Sequence, residues 1–275
     1  MLDLVVGSNG FTVMCRFLAY LGQPVFLEDV VTKPCHSLVH QSLHAQEAMS
    51  GTNGDGFGLG WYADRPTPGL YRELRPAWSD ENLRAICSQV KSRAFFAHVR
   101  ASTGTATTRA NCHPFVHGNI MFMHNGQIGS YAGLRRRIEN LIPDAVYDSR
   151  GGQTDSEAIF LIACGRGIER DPVGAITSAL IDVKQVMNDM GVSEPLRFAA
   201  AITDGQTLTA FRWSCDGKAP SLYYRECNGN LTIVSEPIDH DRSNWQAVPQ
   251  NAVLMARQGQ PLTFGHFAPG LKLAA

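Results

Sequence analysis

Short runs rich in β-branched and aromatic residues, each closed by turn residues, recur along nearly the whole chain and constrain its fold more than any other feature. Their alternation predicts strands at 15–21, 56–63, 70–74, 94–99, 119–124, 197–203, 207–213, 221–226, 231–235 and 252–256. Helical periodicity is clearest in four stretches, 36–49, 79–91, 155–166 and 172–190. Ser79-Asp80-Glu81 opens the second and Thr154-Asp155-Ser156-Glu157 the third, each with a capping pattern. Many hairpin-like strands broken by a few long helices predict an α+β protein with antiparallel sheets covered by helices. No low-complexity linker or internal repeat divides the 275 residues, so a single domain with a substantial core is expected.

Charge and cysteine usage narrow the function. The chain carries 24 basic and 25 acidic side chains, a net charge of −1, and no basic stripe that would bind nucleic acid. The run Arg135-Arg136-Arg137 lies in a helical stretch and reads as a solvated face. No segment approaches the ~18 consecutive apolar residues that span a bilayer. Residues 1–13 lack the basic residues and apolar length of a secretory signal. Seven cysteines, at 15, 35, 87, 112, 164, 215 and 227, include no C-x-x-C pair, which argues against a zinc ribbon or thioredoxin-type motif. A reducing, cytoplasmic setting fits them best.

Five segments have chemical potential, and each also has a plainer reading. Met14-Cys15 precedes a strand pattern and resembles a translation start. Removal of Met14 would leave Cys15 with both a thiol and a free α-amine, whose pKa of about 7.7–8.0 suits it to take the thiol proton. The plainer reading is a small core cysteine. Arg100 follows a strand and opens a Ser/Thr/Gly-rich loop, where it can grip a carboxylate with two parallel hydrogen bonds or simply end a strand. Asn125-Gly126 is either a hairpin turn or an oxyanion hole built from the Asn125 amide and the Gly126 N–H. Asp155 is either a helix-capping residue or the partner of a substrate ammonium. With Arg100 it would complete a clamp for an amino-acid zwitterion. His36, His40 and His44 recur at helical spacing, but three consecutive turns of one helix make a poor zinc triad, so no metal is expected.

The segment Gly54-Asp55-Gly56-Phe57-Gly58-Leu59-Gly60-Trp61 does not fit the G-x-G-x-x-G dinucleotide loop, because Leu59 or Trp61 stands where the third glycine is needed. Its alternating glycines predict a strand that another backbone or a ligand approaches closely.

Taken in order, Met14-Cys15-Arg16, the Asn53–Trp61 glycine segment, His98-Val99-Arg100, Asn111-Cys112-His113-Pro114-Phe115, His124-Asn125-Gly126 and Thr154-Asp155-Ser156-Glu157 resemble the class II glutamine amidotransferases of the N-terminal-nucleophile (Ntn) hydrolase superfamily. His36-Ser37-Leu38 and Ser235-Glu236-Pro237 are similar to marks of the stand-alone YafJ-type subgroup. The likeness runs from about residue 14 to about residue 265. It implies a four-layer αββα sandwich, two antiparallel sheets between helices. It also implies Cys15 as nucleophile with its α-amine as base, Arg100 and Asp155 on the substrate head group, Asn125 and Gly126 as the oxyanion hole, and Thr103 as a lining residue of the glutamyl pocket. His113 and His124 would stand just behind these groups.

The implied reaction is cleavage of a γ-glutamyl amide through a cysteine thioester, without cofactor or metal, to glutamate plus ammonia or an amine. The substrate would be glutamine or a γ-glutamyl conjugate. Any ammonia acceptor would come from a synthase partner, and a homo-oligomer is the other assembly open to the chain. Familiar members carry Trp after the Arg and His after the Thr, where this chain has Ala101 and Gly104, so a wider pocket wall is expected. Residues 1–14 precede the nucleophile and are expected to be absent from the mature protein, leaving 15–275 as one glutamine amidotransferase domain. Two alternatives stay open. A papain-like protease would use Cys15 or Cys112 with a histidine, although the local cues for it are missing. A non-catalytic γ-glutamyl-binding or regulatory subunit would keep the clamp but have Cys15 blocked.

Overall fold

The computed structural model describes residues 15–43, 52–101 and 106–270. In chain order the strands are β1 (Arg16–Phe26), β2 (Phe57–Trp61), β3 (Gly69–Glu73), β4 (Lys91–Val99), β5 (Phe115–His117), β6 (Ile120–Gln127), β7 (Arg197–Thr203), β8 (Thr207–Ser214), β9 (Tyr223–Cys227), β10 (Asn230–Val234), β11 (Gln246–Ala247), β12 (Ala252–Arg257) and β13 (Thr263–His266). The helices are α1 (Glu28–Val31), α2 (Leu38–Leu43), α3 (Glu81–Gln89), α4 (Tyr131–Glu139), α5 (Asp144–Tyr147), α6 (Asp155–Cys164) and α7 (Pro172–Asp189).

The strands form two antiparallel sheets, β11-β9-β10-β1-β4-β2-β3 and β13-β12-β8-β7-β6-β5. Side-chain alternation along the central strands sorts the core into three apolar layers. Phe17, Ala19 and Leu21 of β1 meet Met121 and Met123 of β6 between the sheets. Leu18 and Tyr20 point the other way, under Leu83 and Cys87 of α3. On the outer face of the second sheet, Phe122, Phe198 and Phe211 pack on α6 and α7. The architecture is therefore the expected αββα sandwich. Because the central strands are buried on both faces, they read as continuous apolar runs rather than as clean alternation.

Each expected strand within the described residues has its counterpart, with shifted ends. The largest shift is in β1, which continues past Leu21 to Phe26 with a register shift between Leu21 and Val25. Gly22-Gln23-Pro24 lies within this irregularity, which the strand absorbs. Helix α3 begins two residues later than expected, because Asp80 is its N-cap and accepts a 2.6 Å hydrogen bond from the Leu83 N–H. Of the helix expected at 36–49, the described part is Leu38–Leu43; residues 44–49, with His44, lie outside the described residues. Helices α1 and α5 and strands β5, β11 and β13 were not anticipated, being too short for periodicity to register.

The alternating glycines of β2 bring the two sheets close. Phe57 and Leu59 face α3, while Gly58 and Gly60 face the second sheet. A Cβ on Gly58 would overlap the His113 carbonyl, and one on Gly60 would come within 2.7 Å of Pro114. This is the close backbone approach that the glycine spacing predicts.

Candidate active site

The register between β1 and β4 builds the site. Arg16 pairs with Val99, so the preceding residue, Cys15, falls beside the residues that follow β4. The Ala101 N–H donates to Cys15 Sγ at 3.4 Å, and the thiol lies 3.5 Å from the Ala101 carbonyl. Burial pushes the Cys15 thiol up, and Asp155 adds to this; the Ala101 N–H, Arg100 and Arg16 oppose it. At neutral pH the sulfur is therefore protonated and needs a base before it can attack. The same influences put a cation, Arg100, and an anion, Asp155, within electrostatic reach of one sulfur.

Arg100 is buried, with its backbone bonded both ways to the glycine-rich segment. Its N–H donates to the Gly56 carbonyl at 2.9 Å, and its carbonyl accepts from Asp55 N–H at 3.1 Å. The guanidinium reaches the Asp55 carbonyl at 3.3 Å and the Ala106 carbonyl at 3.4 Å. Asp155 is the first residue of α6, whose N-cap Thr154 accepts from the Glu157 N–H at 3.1 Å. The Asp155 carboxylate accepts from the Ile128 N–H at 2.9 Å and from its neighbour Ser156 N–H at 2.8 Å. It is half-buried and lines a cavity of about 470 Å³ together with Gln127, Tyr131, Arg135 and Gln153. Thr154 does the capping, which leaves Asp155 among the residues that line the cavity.

Asn125-Gly126 does not form a hairpin turn. Strand β6 runs on to Gln127, with Asn125 opposite Ala199 and Gly126 opposite Phe198. Asn125 is buried, and its amide nitrogen has no hydrogen-bond partner among the described residues. A buried donor left this way costs free energy unless a ligand or the reaction uses it. Gly126 has φ +153°, and a Cβ there would overlap the Arg197 carbonyl. The backbone at this point can be formed only by glycine. Thr103 and Gly104 lie outside the described residues.

Three histidines crowd behind the site. His98 and His113 have ring centroids 4.2 Å apart, and His124 bonds Ser156 Oγ through Nδ1 at 2.8 Å. Burial holds all three below the usual imidazole range, His98 at about 3. They are neutral at physiological pH. Among the described residues the Cys15 thiol bonds Ala101, and the Cys112 thiol approaches the Glu73 and Thr108 carbonyls. The thiol–imidazole pair that a papain-like protease needs is not formed by either cysteine.

His36 faces a buried carboxylate. Its Nε2 lies 2.6 Å from Glu236 Oε1, and Glu236 Oε2 accepts from Arg16 Nε at 3.1 Å. Arg16 Nη1 in turn donates to the Cys15 carbonyl at 3.1 Å. Gln41 ties the loop down by donating to the carbonyls of His36 at 3.0 Å and Glu236 at 3.2 Å. Among the described residues no group of three or more His, Cys, Asp or Glu could hold a metal ion, and no helix is long and apolar enough to cross a membrane. Sequence reasoning misses the Arg16–Glu236–His36 chain as a unit, because Glu236 lies 220 and 200 residues from its two partners; Arg16 stands in the family motif and His36 and Glu236 in the subgroup marks.

Residues 14–224 match the sequence profile of the glutamine amidotransferases class-II. The chain belongs to this family. The class II glutamine amidotransferases are enzymes, and relatives agree with the assignment over nearly the full length. The chain is 31% identical to the probable glutamine amidotransferase DUG3 of Saccharomyces cerevisiae, over 89% of this chain and 82% of the relative. It is 26% identical to the γ-glutamyl-hercynylcysteine sulfoxide hydrolase of Mycolicibacterium smegmatis, over 89% of this chain and 96% of that one. Among solved structures, a glutamine aminotransferase class-II domain protein from Silicibacter pomeroyi superposes with a TM-score of 0.74 at 37% identity. That match covers 93% of this chain and 100% of the other. Glutamine phosphoribosylpyrophosphate amidotransferase from B. subtilis shares the amidotransferase fold at 14% identity, with a TM-score of 0.60 over 92% of this chain and 49% of the other.

Proposed function

We propose that this class II amidotransferase hydrolyses the γ-glutamyl amide bond of a small molecule, with Cys15 as the nucleophile of a domain spanning 15–275. The observation that carries the reading is the Cys15 sulfur held on the Ala101 peptide with Arg100 and Asp155 both acting on it. A thiol that feels both a fixed cation and a fixed anion suits attack on a substrate whose head group is a zwitterion.

Once residues 1–14 are removed, the α-amine of Cys15 takes the thiol proton. The thiolate attacks the γ-carbonyl carbon, and the developing oxyanion is held by the Asn125 amide and the Gly126 N–H. Collapse breaks the C–N bond, the leaving amine takes its proton from the α-ammonium, and a γ-glutamyl thioester remains. Water, deprotonated by the α-amine, releases glutamate and restores the thiol. Arg100 holds the α-carboxylate, Asp155 the α-ammonium, and Thr103 borders the pocket.

A γ-glutamyl conjugate is favoured over free glutamine on two grounds. Ala101 leaves a lower wall beside the sulfur than the bulkier residue of familiar members would. The mycolicibacterial relative is itself named for cleaving a γ-glutamyl conjugate. Any ammonia acceptor would belong to a synthase partner, and self-association is the other assembly consistent with the reading.

The deciding experiment pairs intact mass with covalent capture. Mature protein beginning at Cys15, labelled on that residue by the glutamine-like electrophile diazo-oxo-norleucine and releasing glutamate from γ-glutamyl amides, supports the proposal. Active protein that keeps residues upstream of Cys15 refutes it, and inactive, unlabelled protein of that form points to a binding subunit. Asn125→Ala should lower kcat by about 10²- to 10³-fold with little change in KM, the signature of a lost oxyanion donor. Steady-state kinetics on a γ-glutamyl amide check this.

A further inference from the structure

Asn111 is fully buried in the turn before β5, and neither the mechanism nor the fold has so far needed it. Its side chain is nevertheless bonded at both ends. Nδ2 donates to the Ala106 carbonyl at 2.7 Å, and Oδ1 accepts from the Gln153 N–H at 2.7 Å. One neighbour offers only an acceptor and the other only a donor, so the orientation of the amide is fixed by its surroundings. The Ala106 carbonyl is the same atom that accepts from Arg100 Nη2 at 3.4 Å. Gln153 stands two residues before Asp155, next to the N-cap Thr154.

The segment carrying Gln153 is shaped to meet this side chain. Gly151 and Gly152 donate their N–H groups to the Glu157 carboxylate at 2.9 and 2.8 Å, which holds the strap from the α6 side. A Cβ on Gly152 would overlap Asn111 Oδ1 and come within 2.8 Å of the Ala110 carbonyl. The strap is thus caught between Glu157 and Asn111, and the close approach depends on glycine.

We infer that Asn111 is a positioning residue that sets the spacing of the substrate clamp, tying the Arg100 side through Ala106 to the Asp155 side through Gln153. The inference rests on the proposed γ-glutamyl reading of the site. A zwitterion has a fixed distance between its carboxylate and its ammonium, so the two receptors must be fixed relative to each other as well as to the sulfur. A single amide side chain spans that gap with one donor and one acceptor. A carboxylate lacks the donor, a hydrocarbon lacks both, and a hydroxyl carries donor and acceptor on a single atom that cannot reach both neighbours.

Two variants attack opposite ends of the bridge. Asn111→Asp keeps the acceptor for Gln153 but sets an oxygen against the Ala106 carbonyl. Gly152→Ala leaves the amide intact and pushes the strap away from it. In the mature enzyme, each should raise KM for a γ-glutamyl amide and Ki for glutamate by about tenfold or more, with a smaller effect on kcat. Each should also slow labelling of Cys15 by diazo-oxo-norleucine, which must occupy the clamp. Labelling by iodoacetamide, which has no head group, should be unchanged.

Slowing of both reagents alike, or an unchanged diazo-oxo-norleucine rate, would overturn the inference. If one variant fails to fold, the other decides; failure of both shows a purely structural role and overturns it too. A wild-type enzyme that diazo-oxo-norleucine does not label would overturn the functional reading and this inference together. A labelled wild type with fully active variants would overturn this inference alone.

Discussion

Cys15→Ala is expected to reduce turnover of a γ-glutamyl amide by about 10⁴-fold or more, because the proposed covalent intermediate forms on its sulfur. Binding of glutamate should survive, since Arg100 and Asp155 keep their backbone anchors at Gly56, Asp55 and Ile128 without help from the sulfur. Calorimetric titration of glutamate into the variant, beside an activity assay, separates the two effects. Loss of binding along with turnover would mean that the thiol holds the site together instead of reacting in it. Persistent turnover would remove Cys15 from the chemistry altogether. The size of the effect follows from the lack of an alternative: Cys112 is sealed in with its thiol pushed up to about 11.

The second large effect is expected in the buried ion pair behind Cys15. Arg16 and Glu236 are both fully buried, and Glu236→Ala strands the Arg16 cation without its carboxylate. Breaking a buried pair in this way costs about 3–5 kcal/mol, which for a domain of this size corresponds to a fall in Tm of roughly 10 °C. Thermal and denaturant unfolding measure it. The double variant Arg16→Met, Glu236→Leu removes both charges and should recover much of the stability. It should not recover activity, because Arg16 Nη1 also holds the Cys15 carbonyl. A double variant as active as wild type would show that the pair contributes stability alone and leaves the nucleophile where it was.

These contrasts show which parts of the molecule the sequence made readable. Strand positions in the core, the caps at Asp80 and Thr154, and the close approach at Gly58 and Gly60 all follow from local rules about pleats, helix ends and missing side chains. The clustering of Cys15, Arg100 and Asp155 was legible only through the order of motifs, since nothing local says that residues 15, 100 and 155 meet. Asn125-Gly126 shows the limit of local reasoning. The dipeptide is a strong turn signal, yet pairing with β7, which continues to Gln127, carries the chain straight through it. Tertiary pairing overrode local preference there. The Arg16–Glu236–His36 chain and the Asn111 bridge were illegible for a different reason: each joins segments through isolated side-chain contacts, which leave no periodic trace in a sequence.

The two bare α-carbons at Gly58 and Gly60 carry a warning for anyone who edits this chain. Glycine in a strand invites replacement by alanine to stiffen it, and these positions look remote from the thiol. Here, though, the absent methyl groups set how thick the sandwich is at one corner. A methyl at Gly58 would wedge the His113 carbonyl outward and one at Gly60 would press on Met121 and the Pro114 ring, and Asn111 sits two residues upstream of His113. A change made to improve rigidity would thus arrive, by way of a displaced loop, at the proposed substrate site.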